Sequence, residues 1–98
     1  VVSYNDQIAL EVIRALEDEG LKVPDDVSVT GYDDSYLASS GKVPLTTVAH
    51  PQEKLGEMAA ELLLGLLKEG SVPESEKQIL VKPKLVIRES CISRKKEE

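Results

Sequence analysis

Two polar side chains suited to binding a small molecule, Asn5 and Asp33, each follow a short run of residues that is typical of a β-strand. Ligands of an open parallel sheet bind in the crevice beyond the carboxyl ends of its strands. There an ionised carboxylate accepts hydrogen bonds, while an asparagine amide both donates and accepts them. The pair suits a ligand rich in hydroxyl groups, such as a sugar. The spacing leaves a structural alternative open, in which Asn5 caps a helix and Asp33 forms a turn.

The elements that position this pair are predicted to be a strand, a helix and a second strand. Residues 1–4 are typical of the end of a buried strand, and residues 27–32 of the second strand. Between them, Asn5 or Asp6 is predicted to cap a helix that ends at Gly20. Helical spacing predicts the apolar face of this helix, which consists of Ile8, Ala9, Val12, Ile13 and Leu16. A parallel pair with this helix as its crossover brings both carboxyl ends to the same edge.

A third strand and a second, longer helix follow along the chain. The strand is predicted over residues 46–49. The helix is predicted to have His50 at its cap and Pro51 as its first residue, because proline is well tolerated at that position. A glycine inside the helix, Gly65, predicts close packing there, and Gly70 is predicted to end it.

The C-terminal part predicts two short strands and a charged end. The strands are expected over residues 78–82 and 84–89, separated by Pro83, which cannot donate a ladder hydrogen bond. Residues 91–98, which end in basic and then acidic side chains, are predicted to be a flexible charged tail. The predicted fold class is therefore α/β, with a parallel βαβ core, a long helix and C-terminal strands.

Composition excludes several classes of function. The 98 residues carry a formal net charge of -6 with both signs mixed along the chain. This argues against a nucleic-acid surface within these residues, because phosphate binding requires a clustered positive field. A single cysteine rules out an intramolecular disulfide and fits a reducing compartment. The sequence has no signal peptide and no run of about 18 apolar residues that would predict a membrane segment.

The familiar catalytic and metal-binding patterns are missing as well. One histidine and one cysteine cannot form a zinc cluster of the usual spacing. His50 could in principle serve a nucleophile as its base, but a histidine at a helix cap or a pocket wall is far more common. The glycines lie singly, so no phosphate-binding loop is predicted. We therefore expect no catalytic residue, metal or cofactor. The apolar surface of the first helix, together with residues 36–38, is predicted to be either ordinary core or a patch that pairs with another subunit.

Several strings along the chain resemble consecutive signatures of the lactose/galactose repressor family. In order, these strings are VSYNDQIA (2–9), GLKVPDDVSV (20–29), GYDDS (31–35), PLTTV (44–48), Pro51 with Leu55-Gly56, and LVIRES (85–90). They cover nearly the whole chain, yet they resemble only the last third of such a repressor. The resemblance implies a fragment of a periplasmic-binding-protein-like (type I) fold. Residues 1–98 would be the C-terminal portion of a sugar-effector-binding domain, without the DNA-binding domain and the first part of the effector domain.

By this resemblance the intact protein is a dimeric, cytoplasmic transcription repressor whose DNA affinity changes when a sugar closes its cleft. Asn5 and Asp33 match the positions that bind the effector in the family. His50 stands where most members carry glutamine, and its surroundings resemble the arabinose repressors, so the implied effector is L-arabinose or another pentose. The resemblance also implies a dimer interface that includes Ile8, Ala9, Val12, Tyr36 and Leu37.

Two other functions remain open beside the repressor. An extracytoplasmic sugar-binding receptor of a transport system would have the same fold, and a signal sequence instead of a DNA-binding domain would distinguish it. A small enzyme that uses Asp33 as a base is the third hypothesis, which turnover of a sugar would favour.

Overall fold

The computed structural model describes residues 1–94, and these form two compact units. Residues 1–49 and 84–94 make up the first unit, and residues 50–83 make up the second. The first unit contains helices α1 (Asp6–Asp18) and α2 (Tyr36–Ser40) and strands β1 (Thr47–Ala49) and β2 (Lys84–Val86). The second unit contains helix α3 (Gln52–Glu69) and a single 3-10 turn (Glu74–Glu76).

Helix α1 begins and ends with the capping groups that the sequence predicts. Asn5 is the N-cap, with an extended backbone, and its Oδ1 accepts a hydrogen bond from the Ile8 N–H at 2.9 Å. At the other end, Gly20 has a φ of 79°. Its N–H donates to the Glu17 oxygen and that of Leu21 donates to the Leu16 oxygen, both at 2.9 Å, which is the Schellman arrangement. The helix is therefore defined at both ends by local sequence.

The core of the first unit lies under α1. Its buried apolar side chains come from the helix and from the segments it packs against, and they are Ala9, Ile13, Val23, Val29, Ala38 and Leu45. Burial of this helix face fixes α1 against the strand segments, since apolar area removed from water contributes about 25 cal/mol per Å².

The parallel arrangement exists as isolated bridges rather than as long regular strands. Val2 pairs with Thr30, and Thr30 pairs with Thr46, both in parallel orientation. The parallel orientation of the first two segments agrees with the prediction, but the predicted strand over residues 27–32 is not a regular strand. The regular strands among the described residues are β1 and β2, which are antiparallel, with Thr47 opposite Val86.

Ser90 explains why the central segment is irregular. Its main-chain oxygen accepts from the Val29 N–H at 3.0 Å. Its hydroxyl accepts from the Thr46 N–H at 2.8 Å and donates to the Val29 oxygen at 2.5 Å. The Ser90 hydroxyl thus lies between the Thr46 N–H and the Val29 oxygen, which would bond directly to each other in a regular parallel pair.

The prediction of two C-terminal strands is wrong for the first strand and too long for the second. Residues 78–82 form no strand, and of residues 84–89 only Lys84–Val86 is regular. The first segment lies in the second unit, where the described residues offer it no strand partner. Beyond Val86, the Arg88 N–H donates to the hydroxyl of Thr46, and the next two amides both bond to the Pro44 oxygen. A bond to a side chain and two bonds to the same main-chain oxygen therefore take the place of regular strand pairing after Val86.

Helix α3 begins one residue later than predicted, with Pro51 as its N-cap, and ends at Gly70 with a φ of 76°. None of its residues is buried within the chain. The close packing predicted at Gly65 is wrong, because a Cβ there would meet nothing within 4 Å. Across the described residues, no helix has both the length and the apolar character needed to cross a membrane.

The first part of the predicted flexible tail is attached to the first unit. The Arg94 guanidinium donates to the main-chain oxygens of Asp25 and Pro24 at 2.8 and 3.2 Å. The Ile92 N–H donates to the hydroxyl of Ser28 at 3.2 Å. Residues 91–94 are therefore held by hydrogen bonds, and residues 95–98 lie outside the described part of the chain.

Alanine substitutions at two glycines compare a closely packed position, Gly31, with an open one, Gly65. A Cβ on Gly31 would collide with the Asp6 carboxylate and approach the Asp6 Cα at 3.1 Å, so we expect Gly31→Ala to lower the free energy of unfolding by about 1–3 kcal/mol. Gly65→Ala is the control and should raise it by about 0.5–1 kcal/mol through helix propensity. Urea denaturation measures both changes. Equal stability of Gly31→Ala and the unmodified protein would contradict the close contact.

Candidate functional site

Asn5 and Asp33 lie at the same edge of the first unit, on main-chain segments that are adjacent in space. The Gly31 N–H donates to the Thr46 oxygen and the Asp33 N–H donates to the Val48 oxygen, both at 2.9 Å. These bonds are two residues apart on each segment, so Asp33 is a further rung of a parallel ladder. The Asp6 N–H donates to the Tyr32 oxygen at 3.1 Å, which brings the segment of Asn5 alongside.

The backbone turns sharply at Asp33 and Asp34. Their φ values are 102° and 49°, and both are non-glycine residues in the left-handed half of φ space. Such conformations cost of order 1–3 kcal/mol each and concentrate at ligand clamps and active sites, although aspartate tolerates them better than most residues. Asp33 therefore forms a turn, which is the structural alternative that the sequence left open. The turn also has the backbone strain that is typical of binding loops.

Arg88 fixes the second of these two carboxylates. Its Nη2 lies 2.8 Å from the Asp34 Oδ1, and both side chains are about three-quarters buried. Its Nη1 donates to the Leu45 oxygen at 3.0 Å. One guanidinium therefore ties the loop to the segment that leads into β1, with two donors that a lysine cannot reproduce.

Asp6 supports the same loop from inside the protein. Its side chain is 2% exposed, and its two carboxylate oxygens accept hydrogen bonds from different elements. The Thr47 hydroxyl donates to Oδ1 at 2.7 Å, and the Ser35 N–H donates to Oδ2 at 2.6 Å. Sequence reasoning missed this role and considered Asp6 only as a possible cap. Its position in the first turn of a helix was a signal, because the helix dipole favours an acid there.

The other predicted site residues have different surroundings. His50 directly follows β1, is partly buried and belongs to the second unit. Of the predicted interface residues, Tyr36 is 80% exposed and Ile8 is 45% exposed. Val12 and Leu37 are partly buried. Ala9 is 0% exposed and packs in the core of the first unit.

The described residues include no group of three or more histidine, cysteine, aspartate or glutamate side chains that could hold a metal ion. The second unit has a cavity of about 440 Å³ between α3 and the segment after it, lined in part by Met58, Leu62 and Ile79. None of the predicted site residues lines this cavity.

The arrangement at Asn5 and Asp33 can supply hydrogen bonds and negative charge to a ligand.

The chain matches the model of a known family over almost its whole length. Residues 1–91 match the periplasmic binding protein-like domain. The chain therefore belongs to the family of periplasmic binding protein-like domains. It also resembles transcriptional regulators of the LacI family, as the following relatives and solved structures show.

Curated relatives are bacterial transcriptional repressors. The chain is 37% identical to the arabinose metabolism transcriptional repressor of Halalkalibacterium halodurans, over 100% of the chain and 27% of that protein. It is 42% identical to the transcriptional repressor PurR of Vibrio campbellii, over 90% of the chain and 26% of that protein. The ribose operon repressor of Haemophilus influenzae is 37% identical, over 97% of the chain and 28% of that protein. The chain thus spans about a quarter of these relatives, and none of the three is named as an enzyme.

Solved structures of two regulators superpose well on the chain. The complex of the transcriptional regulator CelR with cellobiose has a TM-score of 0.85 and 33% identity, over 92% of the chain and 27% of that protein. The lac repressor dimer bound to operator and an anti-inducer has a TM-score of 0.83 and 35% identity, over 94% and 31%. The resemblance to the lactose/galactose repressor family that the sequence motifs indicate is confirmed.

Replacement of Arg88 tests how strongly it holds the binding loop. Arg88→Met removes donors to a carboxylate and to a main-chain oxygen, and we expect the free energy of unfolding to fall by about 2–4 kcal/mol. Arg88→Lys should recover less than half of this loss, since one ammonium group cannot reach both acceptors. The matched control is Arg14→Met, because the Arg14 ion pair with Glu11 is exposed. Chemical denaturation gives the values, and a fully stable Arg88→Lys variant would contradict the two-acceptor role.

Proposed function

We propose that this chain is the effector-binding part of a sugar-responsive transcription repressor that acts as a homodimer in the bacterial cytoplasm. Operator DNA would be bound by a domain outside these residues. The repressor names of the curated relatives and the operator-bound dimer among the similar structures support this proposal. The acidic balance of the chain supports the assignment of DNA binding to another part of the protein.

The observation that carries the proposal is the strained loop at Asp33. The loop of residues 33–35 contains two consecutive non-glycine residues with positive φ. β1 binds the Asp33 amide, Arg88 binds the Asp34 carboxylate and Asp6 binds the Ser35 amide. Strained backbone of this kind is concentrated at ligand clamps and active sites, which supports a binding role for the loop. The loop lies beside Asn5 at the carboxyl edge of the parallel segments, where ligands of this kind of sheet bind. Asp33 accepts hydrogen bonds from sugar hydroxyls in this proposal, and the Asn5 amide supplies a donor.

We infer that the effector is a pentose, with L-arabinose as the first candidate. The 37% and 38% identity to two arabinose metabolism repressors supports this choice. His50, which directly follows β1, is proposed as a third effector-binding residue. The proposed dimer interface includes Ile8, Ala9, Val12, Tyr36 and Leu37, of which Tyr36 is the most exposed.

The mechanism is a shift between two conformations rather than chemistry. A sugar that closes the cleft must favour the closed state by about 100-fold to 10,000-fold to move the equilibrium substantially. Hydrogen bonds to charged groups contribute about 1.5–3 kcal/mol each, so two or three bonds to Asp33 and Asn5 are sufficient. Closure then alters the spacing of the two DNA-binding domains and with it the affinity for the operator.

Asp33→Asn in the intact regulator tests this function. The variant keeps the shape of the side chain and loses its charge, so we expect L-arabinose to bind at least about 10-fold more weakly. Calorimetric titration measures the affinity, with D-ribose and cellobiose as comparison ligands. Operator affinity without sugar should stay within about twofold of the unmodified protein, because Asp33 contacts no DNA in this proposal.

The control is Asp25→Asn, a change of the same kind on an exposed turn of the same unit. It should leave both affinities unchanged. Normal sugar binding by Asp33→Asn would show that the proposed site is wrong. Failure of every sugar to bind the unmodified regulator would reject the sugar-responsive function itself.

A further inference from the structure

We propose that Asp6 is a positioning residue of the effector site, whose buried carboxylate holds the loop of residues 33–35 in its binding conformation. The inference rests on the proposed function of Asp33 and deepens it, because it names the group that fixes the geometry of that site. Asp6 itself is not proposed to touch the ligand.

The carboxylate binds the loop through short, charge-assisted hydrogen bonds. The distances from its oxygens to the Ser35 nitrogen and the Thr47 hydroxyl are 2.6 and 2.7 Å. Bonds of this length with a charged acceptor are about twice as strong as neutral ones. Because Asp6 is almost fully buried, water cannot replace either partner without local opening.

Thr47 extends this support to a second loop residue. A hydroxyl has one proton, and that of Thr47 is directed to Asp6, so its oxygen is the acceptor for the Asp34 N–H at 3.3 Å. The chain of bonds therefore runs from Asp34 through Thr47 to Asp6, and Ser35 joins it directly. The amides of both residues that follow Asp33 are thus connected to the Asp6 carboxylate, that of Ser35 directly and that of Asp34 through Thr47.

The same residue also sits beside the other proposed ligand. Asp6 directly follows Asn5, and its own N–H donates to the Tyr32 oxygen, the residue before Asp33. Gly31 lies directly against its carboxylate, where any Cβ would collide, so the space around Asp6 is closed on that side. One side chain and its main chain thus fix Asn5 relative to Asp33, which is what a two-sided grip on a sugar requires.

Thr47→Val and Thr47→Ser in the intact regulator distinguish positioning from general stability. Valine keeps the shape of threonine without the hydroxyl, while serine keeps the hydroxyl. We expect Thr47→Val to weaken L-arabinose binding at least about 10-fold and Thr47→Ser to bind within about threefold of the unmodified protein. Operator affinity without sugar should stay within about twofold for both variants.

Ser93→Ala is the control for the loss of a hydroxyl. Ser93 is exposed, lies in the first unit and belongs neither to the loop nor to the proposed dimer surface. Its substitution should therefore leave sugar affinity unchanged. Asp6→Asn should behave like Thr47→Val, because an amide keeps only one accepting oxygen.

Amide hydrogen exchange provides a second readout that needs no ligand. We expect the Asp34 and Ser35 amides to exchange at least about 10-fold faster in Asp6→Asn, while the amides in the middle of α1 keep their rates. Normal sugar affinity in Thr47→Val together with normal loop exchange in Asp6→Asn would overturn the proposal. The two proposals fail separately: sugar binding by Asp33→Asn rejects the site, whereas loss in Asp33→Asn with none in Thr47→Val rejects only the role of Asp6.

Discussion

The binding loop of the first unit is tied to the rest of the unit by one buried interaction, that of the Asp6 carboxylate with the hydroxyl of Thr47 and the amide of Ser35. It joins the first turn of α1 to the loop at Asp33 and to the start of β1. Ser35 and Thr47 lie 29 and 41 residues from Asp6 along the chain, respectively. A buried charge is stable only when its oxygens are satisfied. The sequence must therefore supply both donors at these positions, and the loop is restricted to conformations that present them.

This constraint explains how strain and function coexist at the edge of the fold. The backbone of Asp33 and Asp34 is unfavourable by itself, yet both of its amides bond to β1. Arg88 binds the Asp34 carboxylate, and Asp6 binds the next amide, that of Ser35. The loop therefore has its binding shape before the sugar arrives in the proposed function. A preformed site loses less conformational freedom on binding, so more of the hydrogen-bond energy is available for moving the equilibrium between open and closed states.

Local elements of the fold could be predicted from the sequence, and contacts between distant residues could not. The Asn5 cap, the Gly20 and Gly70 ends of the two long helices and the apolar face of α1 follow from rules that involve a few neighbouring residues. The interruption at Ser90 does not, since its hydroxyl binds a residue 61 positions away. The burial of Asp6 was missed for the same reason. That Asn5 and Asp33 lie at the same edge could be predicted, because parallel strand ends meet there even where the strands are irregular.

A double-mutant cycle between Asp6 and Thr47 tests the central interaction most directly. Urea denaturation of the unmodified protein, Asp6→Ala, Thr47→Val and the double variant gives the coupling free energy between the two side chains. We expect a favourable coupling of about 1.5–3 kcal/mol, as for a buried hydrogen bond to a charged group. Additive losses, with a coupling below about 0.5 kcal/mol, would contradict it.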